Sequence, residues 1–305
     1  MAFRDRLVAS WYAPRRTPLA LALWPLALLF RAVVALRRAL YAAGVLRSER
    51  APVPVVVVGN LAVGGAGKTP LVVALAAALA ARGRRPGIVS RGYGGTVRGV
   101  REVRPGDDPA IVGDEPLLLA ATGHPVVVGR DRPAAVRALL AAHPACDVVV
   151  CDDGLQHYAL ARDVEIAVVD ASRGLGNGLV LPAGPLREPA ARLARVDAVV
   201  TLVAADGEGR SAPPRETTMT HVPAGFRNLA DPSRAVDPAA WAGRRVHAIA
   251  GIGHPQRFFD LLARLGVRAT PHPFDDHHAF TPDDLALPDA DVIVMTAKDA
   301  VKCSS

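Results

Sequence analysis

Apolar residues run through this chain in short blocks separated by turn residues, and each block carries its own periodicity. Val55, Val56, Val57 and Val58 lack polar alternation, which predicts a strand buried on both faces. The glycine-rich run GNLAVGGAGKTP follows, and then an alanine/leucine helix over 71–82. A short strand leads into Ser90-Arg91-Gly92-Tyr93-Gly94-Gly95. Further strands are predicted over 126–129, 147–151, 164–169, 197–203, 247–252 and 291–295, with helices after Arg132 and over 256–265. Residues 204–217, rich in Gly, Pro and charge, read as a surface loop. The alternation predicts an α/β protein with a mostly parallel sheet flanked by helices and a second, smaller α/β lobe. We expect a helical segment over 1–50, a nucleotide-binding lobe over 51–184 and a second lobe over 185–305, whose last strand could return to the first lobe.

The N-terminal pattern differs. Thr17 to Phe30 is uncharged but too short to span a bilayer, and Pro25 lies within it. Arg4, Arg6, Arg15, Arg16, Arg31, Arg37, Arg38 and Arg47 flank or interrupt the apolar residues, with Trp11, Tyr12 and Trp24 nearby. That mixture describes a helix lying in the headgroup region, a monotopic contact on the cytoplasmic face. A helix packed on the sheet is the plainer alternative. A signal peptide is disfavoured, since no small-residue cleavage site precedes the valine strand.

Strand, glycine-rich turn and helix together form the layout of a P-loop, whose backbone N–H groups converge on polyphosphate oxygens. The cradle comprises Ala62, Val63, Gly64, Gly65, Ala66, Gly67, Lys68 and Thr69; the strict spacing wants glycine where this chain has Ala62. Lys68 reaches the outer phosphates and Thr69 offers its hydroxyl to Mg²⁺. Composition reinforces the assignment. Of 36 basic residues only three are lysine, Lys68, Lys298 and Lys302, and one occupies the cradle, where a wide guanidinium cannot replace a compact ammonium. The formal net charge of +7 implies an anionic partner, membrane lipid, nucleic acid or a phosphorylated substrate, and scattered arginines without interleaved aromatics argue against nucleic acid. Cys146, Cys151 and Cys303 show neither metal nor disulfide spacing, which favours a reducing compartment.

Three further clusters carry chemistry. DVVVCDDG delivers Asp152 and Asp153 from a strand end, the Walker B arrangement for Mg²⁺, with Gln156 and His157 close behind. Asp114 and Glu115 of GDEP read either as a solvated turn or as a helix N-terminus. FDDHHAF sets His277 and His278 beside Asp275 and Asp276; a histidine paired with a catalytic carboxylate and an exposed histidine turn are both open.

The ordered series GNLAVGGAGKTP, SRGYGG, VGDEP, GRDR, CDDGLQH, LPAGPLREP, DHHAFT and TAKDAVKC resembles the tetraacyldisaccharide 4′-kinase family over nearly the whole chain. The resemblance implies transfer of the ATP γ-phosphoryl group to the 4′-hydroxyl of tetraacyldisaccharide 1-phosphate, giving lipid IVA in lipid A biosynthesis. It also implies a peripheral or monotopic place on the inner membrane, where the acceptor lipid and bilayer are the partners; no feature calls for an obligate protein partner. By motif, Asp114 is the implied base and His277 its partner, with His278 a weaker candidate. Lys68 neutralises phosphate. Thr69, Asp152, Asp153 and Glu115 form the implied Mg²⁺ shell. Arg91, Tyr93, Arg130, His157 and Arg187 are the implied contacts to substrate or nucleotide. The family pattern usually has glutamate where Ala297 stands, and continues past Ser305, so weakened folding or activity is an open expectation. Two rivals remain. A membrane ATPase switch would carry a second lysine where Val63 stands, and a catalytically dead scaffold would have no use for the Asp114 and Asp153 clusters.

Overall fold

The structure is a computed structural model that describes residues 3–203, 216–231 and 233–303. The helices α1 (Phe3–Trp11), α2 (Pro18–Ala22) and α3 (Trp24–Ala42) precede β1 (Val55–Gly59), α4 (Lys68–Ala80), β2 (Pro86–Ser90), β3 (Val100–Val103), α5 (Pro109–Val112), α6 (Asp114–Ala120) and β4 (Val126–Gly129). The chain continues through α7 (Arg132–Ala142), β5 (Val148–Asp152), β6 (Val164–Asp170), β7 (Ala198–Val203), β8 (Glu216–Thr220), β9 (Phe226–Arg227) and β10 (Ala235–Val236). It ends with β11 (Val246–Ala250), α8 (Pro255–Arg264), β12 (Ala269–Pro273), α9 (Pro282–Leu285), β13 (Val292–Met295) and α10 (Ala297–Ala300). Two compact units share this chain, Met1–Arg91 with Gly129–His221, and Gly92–Val128 with Val222–Ser305.

The first unit is built on a parallel sheet in the order β2-β5-β1-β6-β7-β8. The valine run is β1, and Val55, Val57 and Val58 are buried as a strand covered on both faces must be. The sheet runs on past residue 184 through β7 and β8. Of the loop expected over 204–217, residues 204–215 lie outside the described residues, while Glu216 and Thr217 open β8 in register with Val199 and Val200. The helix after the glycine-rich turn starts at Lys68 rather than Leu71, with Gly67 at φ 83° as its N-cap. Pro70 falls in the first turn, where no intrahelical N–H bond is lost.

The N-terminal apolar stretch is not one element. Leu23 separates α2 from α3, and Pro25 sits in the first turn of α3, which a proline tolerates. Leu26, Leu29, Val33 and Leu36 lie exposed along one face of α3 at helical spacing. Its far end is held by Arg38, 3.9 Å from Glu188, and by Tyr41 against Tyr158. Among the described residues no helix is long and apolar enough to cross a membrane.

In the second unit β11 is the middle of a parallel sheet in the order β12-β11-β13. Val246, Ala248, Leu262, Val267 and Val294 form its core, with Phe226, Trp241, Phe258 and Phe259 packed on the margin. The SRGYGG turn lies backbone to backbone against the segment entering α6. A Cβ on Gly95 would stand 2.3 Å from the Ile111 carbonyl oxygen, and one on Gly113, 2.5 Å from that of Tyr93. Gly65, by contrast, has open space around its Cβ position. Gly95→Ala is therefore expected to lower stability by about 1–3 kcal/mol, and Gly65→Ala to stay within about 0.5 kcal/mol. Denaturant unfolding of the two variants checks this, and equal losses contradict the close approach.

Candidate functional site

Two clusters of charged side chains stand out, one in each unit. In the first, β1 is followed by Asn60, whose buried side chain donates to the Gly64 carbonyl (3.2 Å) and accepts from Lys68 Nζ (3.2 Å). Lys68 also lies 3.6 Å from Asp153 Oδ1. The turn is tied down by Val63 N–H to the Pro185 carbonyl (2.9 Å) and Arg187 N–H to that of Leu61 (2.7 Å). Ala62 forms an isolated antiparallel bridge with Leu186, a backbone geometry that does not call for glycine. Gly64, Gly65, Ala66, Gly67 and Thr69 complete the turn, and Tyr12, Asp170 and Arg173 line a cavity beside it with Val63.

Asp153 leaves β5 with φ 49°, and its two oxygens accept from Arg187 Nη1 at 2.9 and 3.0 Å. Burial pushes its carboxyl up, but Lys68 and Arg187 outweigh that and hold it at about 2. Asp152 is fully buried, with Oδ2 3.4 Å from Ser90 Oγ, and its carbonyl accepts from Arg132 Nη2 (3.1 Å). Arg132, itself buried, also donates to the Gly129 carbonyl. Burial, Arg132 and Arg91 push the His157 imidazole down to about 4, so it is neutral near pH 7. Arg91 and Arg130 are exposed. Of the four donors expected for a metal, the Thr69 hydroxyl and the Asp152 and Asp153 carboxylates belong to the first unit, while Glu115 belongs to the second, 3.9 Å from Lys298 Nζ; all four are oxygen donors, which fits Mg²⁺ and not zinc. Among the described residues no group of three His, Cys, Asp or Glu forms a metal cage. Mg²⁺ usually needs none, because phosphate and water complete its shell.

The second cluster gathers around the first turn of α6, so GDEP is a helix start rather than a loop. Asp114 is 5% exposed, and its Oδ1 accepts from the Glu115 N–H (2.8 Å). His277 Nδ1 lies 2.8 Å from Asp114 Oδ2, whereas His278 Nε2 lies 3.1 Å from Asp284 Oδ2. His277 sits at φ 63°, its N–H bonded to the Gly251 carbonyl, and the exposed Tyr93 ring is 5.1 Å away. Lys298 Nζ is 3.0 Å from Asp276 Oδ1, 3.7 Å from Asp114 Oδ2 and 3.9 Å from Glu115 Oε1; Lys302 Nζ is 3.9 Å from Asp114. Burial raises the Asp114 pKa, but the His277 hydrogen bond and the two lysines bring it below the usual value. His277 is raised, first by that same hydrogen bond. Sequence reasoning assigned no role to Asn60, Arg173, Lys298 or Lys302. The rarity of lysine, already used for Lys68, was the available signal for the last two.

The family model described as tetraacyldisaccharide-1-P 4′-kinase matches residues 19–305. The chain belongs to this family. Proteins named tetraacyldisaccharide 4′-kinase are 57% identical in Azoarcus sp. (strain BH72), over 97% of this chain and 87% of theirs, and 56% identical in Chromobacterium violaceum, over 96% and 86%. A crystal structure of LpxK from Aquifex aeolicus in complex with ATP aligns with TM-score 0.78 and 31% identity, covering 94% of this chain and 91% of that one. The chain is thus a kinase of lipid A biosynthesis, and the mostly parallel sheet expected from the sequence is the fold it shares with that structure.

Asp153 supplies a pH test. With its folded pKa near 2 against an ordinary 3.8, its pairing contributes about 2 kcal/mol above pH 4, which is lost as pH falls toward 2. Arg187→Met should raise that pKa and flatten this part of the stability–pH curve. Urea unfolding at several pH values between 2 and 5 checks it, and an unchanged slope removes Asp153–Arg187 from the account.

Proposed function

We propose that this chain transfers the γ-phosphoryl group of ATP to the 4′-hydroxyl of tetraacyldisaccharide 1-phosphate, forming lipid IVA at the cytoplasmic face of the inner membrane. ATP lies along the glycine-rich turn, its outer phosphates met by backbone N–H groups and by Lys68, which exchanges Asp153 for phosphate oxygen. Mg²⁺, when bound, neutralises charge on the transferring group, and Thr69, Asp152 and Asp153 are the oxygen donors to hold it. The observation that carries the reading is the Asp114–His277 hydrogen bond at the start of α6. Asp114 accepts the proton of the attacking hydroxyl as the new O–P bond forms and the bond to the ADP oxygen breaks. A low carboxylate pKa is a handicap for a base, and a histidine that shares the proton offsets it. Arg91, Tyr93, Arg130, His157 and Arg187 are the proposed contacts to nucleotide or acceptor phosphate.

Mass spectrometry of the acceptor lipid, incubated in detergent with protein, ATP and Mg²⁺, is the direct test. A product heavier by one phosphate group is expected, and none with Lys68→Ala. Asp114→Ala should lower kcat by about 100-fold or more with ATP affinity nearly unchanged, since a base acts in the transition state. A large loss of ATP binding would remove Asp114 from that role.

The acceptor carries four acyl chains, so the enzyme must work at a lipid surface. The exposed stripe on α3, with Arg37 bordering it and Arg31 and Arg38 on another face, suits burial in the headgroup region. Replacing Leu26, Leu29 and Leu36 with serine should abolish sedimentation with anionic phospholipid vesicles while leaving ATP binding intact. Unchanged vesicle binding would refute the interfacial helix.

A further inference from the structure

Asp114 and His277 are not alone in their cluster. The His277 ring presents Nδ1 to Asp114 Oδ2 at 2.8 Å, and Nε2 faces two groups of opposite charge. Asp276 Oδ2 lies 3.8 Å from Nε2, and Lys298 Nζ lies 3.5 Å from it. The uncharged Tyr93 ring stands beside it, 5.1 Å between centroids. With carboxylates on both sides, an imidazole would bind a second proton tightly, and hold it between Asp114 and Asp276. An ammonium has donors and no acceptor, so a nitrogen facing it must offer a lone pair. Lys298 is itself fixed, 3.0 Å from Asp276 and with only 16% of its side chain exposed. Its ionisation is secured by these carboxylates, which overcome burial and raise its pKa.

We infer that Lys298 is a positioning residue for the Asp114–His277 pair: its ammonium opposite Nε2 directs the imidazole proton onto Nδ1, toward Asp114, and opposes a second proton on Nε2. The consequence for Asp114 follows from distance. A lysine at 3.7 Å, making no hydrogen bond to Asp114, draws less on the carboxylate than an imidazolium hydrogen-bonded at 2.8 Å. Lys298 thereby limits how far His277 suppresses the basicity of Asp114, while Lys302, on the Asp299 side, and Glu115 set the rest of the local charge. This effect on catalysis rests on the kinase mechanism proposed above; the placement of the proton does not.

The test is ¹⁵N-detected titration of His277 in the full chain, assigned by comparison with His277→Gln. In the unsubstituted protein the neutral ring should carry its proton on Nδ1. Lys298→Met should move the His277 midpoint up by about one pH unit, the effect expected of removing one like charge at this range. A neutral ring protonated on Nε2, or a midpoint that stays or falls in Lys298→Met, overturns the inference. The first of these is read without any lysine variant, so a Lys298→Met chain that fails to fold does not shield the idea. If the midpoint rises but the acid limb of the kcat profile stays in place, Lys298 still sets the proton, and the role of the pair in catalysis is what fails.

Discussion

A carboxylate taken out of water must be paired, and the pairing of Asp153 is what the first unit's site depends on. β5, a central strand between β2 and β1, delivers it at its C-terminal end, and the backbone turns there at φ 49° so that the carboxylate reaches two cations. Arg187 arrives from a segment that is itself hydrogen-bonded to Leu61 and Val63. The same contact that satisfies Asp153 therefore holds the glycine-rich turn open in shape and places Lys68. Lys68 shares its charge between Asn60 and Asp153 at 3.2 and 3.6 Å, neither contact short. On the proposed reading a phosphate would take the ammonium without leaving Asp153 unpaired, because Arg187 Nη1 reaches both carboxylate oxygens. This division of labour, one cation to satisfy the carboxylate and one to be lent, is what makes the turn ready for an anion.

The second unit solves the opposite problem. There the carboxylates are crowded: Asp114, Glu115 and Asp276 lie around one ammonium, with Lys302 and His277 beside Asp114. Crowding of this kind makes protonation a property of the group rather than of a single side chain. A hydrogen bond from His277 and a backbone N–H from Glu115 occupy the two oxygens of Asp114, so the carboxylate is oriented as well as charged.

Much of this was legible in the sequence because it follows local rules. A run of valines, a glycine-rich turn and a lysine define β1 and α4 without tertiary information, and two aspartates at a strand end announce β5. The misses have physical causes. β12 contains Pro271 and Pro273, which argue against a strand, yet it lies at a sheet edge where the missing donors are tolerated. The split at Leu23 was hidden because Pro25 reads as an interruption of one helix when it is the start of the next. The partners of Asp114 could not be read from spacing, since His277 is 163 residues away and Lys298 further still. The packing of SRGYGG against the α6 entrance, which needs Gly95 and Gly113 to lack side chains, sets Tyr93 beside the His277 ring, and the turn at His277 is held by its N–H on the Gly251 carbonyl.

The use of lysine gives the same logic a chemical form. Where this chain needs a fork, it uses arginine: Arg245 meets the two oxygens of Asp291 with Nε and Nη2, at 3.3 and 3.1 Å. Each of its lysines instead stands among acceptors that arrive from different directions. Lys302 meets the carbonyls of Gly251 and His278 and the carboxylate of Asp299; Lys298 meets Asp276, Asp114 and Glu115; Lys68 meets an amide and a carboxylate. A guanidinium confines its donors to one plane and spreads its charge over a wide fork, so it is a poor substitute where one compact charge is shared. A compact ammonium suits such a set, and it can also be shared or withdrawn as partners change. In a chain that otherwise writes its cations as arginine, the lysines fall where one compact charge meets several acceptors, at the glycine-rich turn and beside the Asp114–His277 pair.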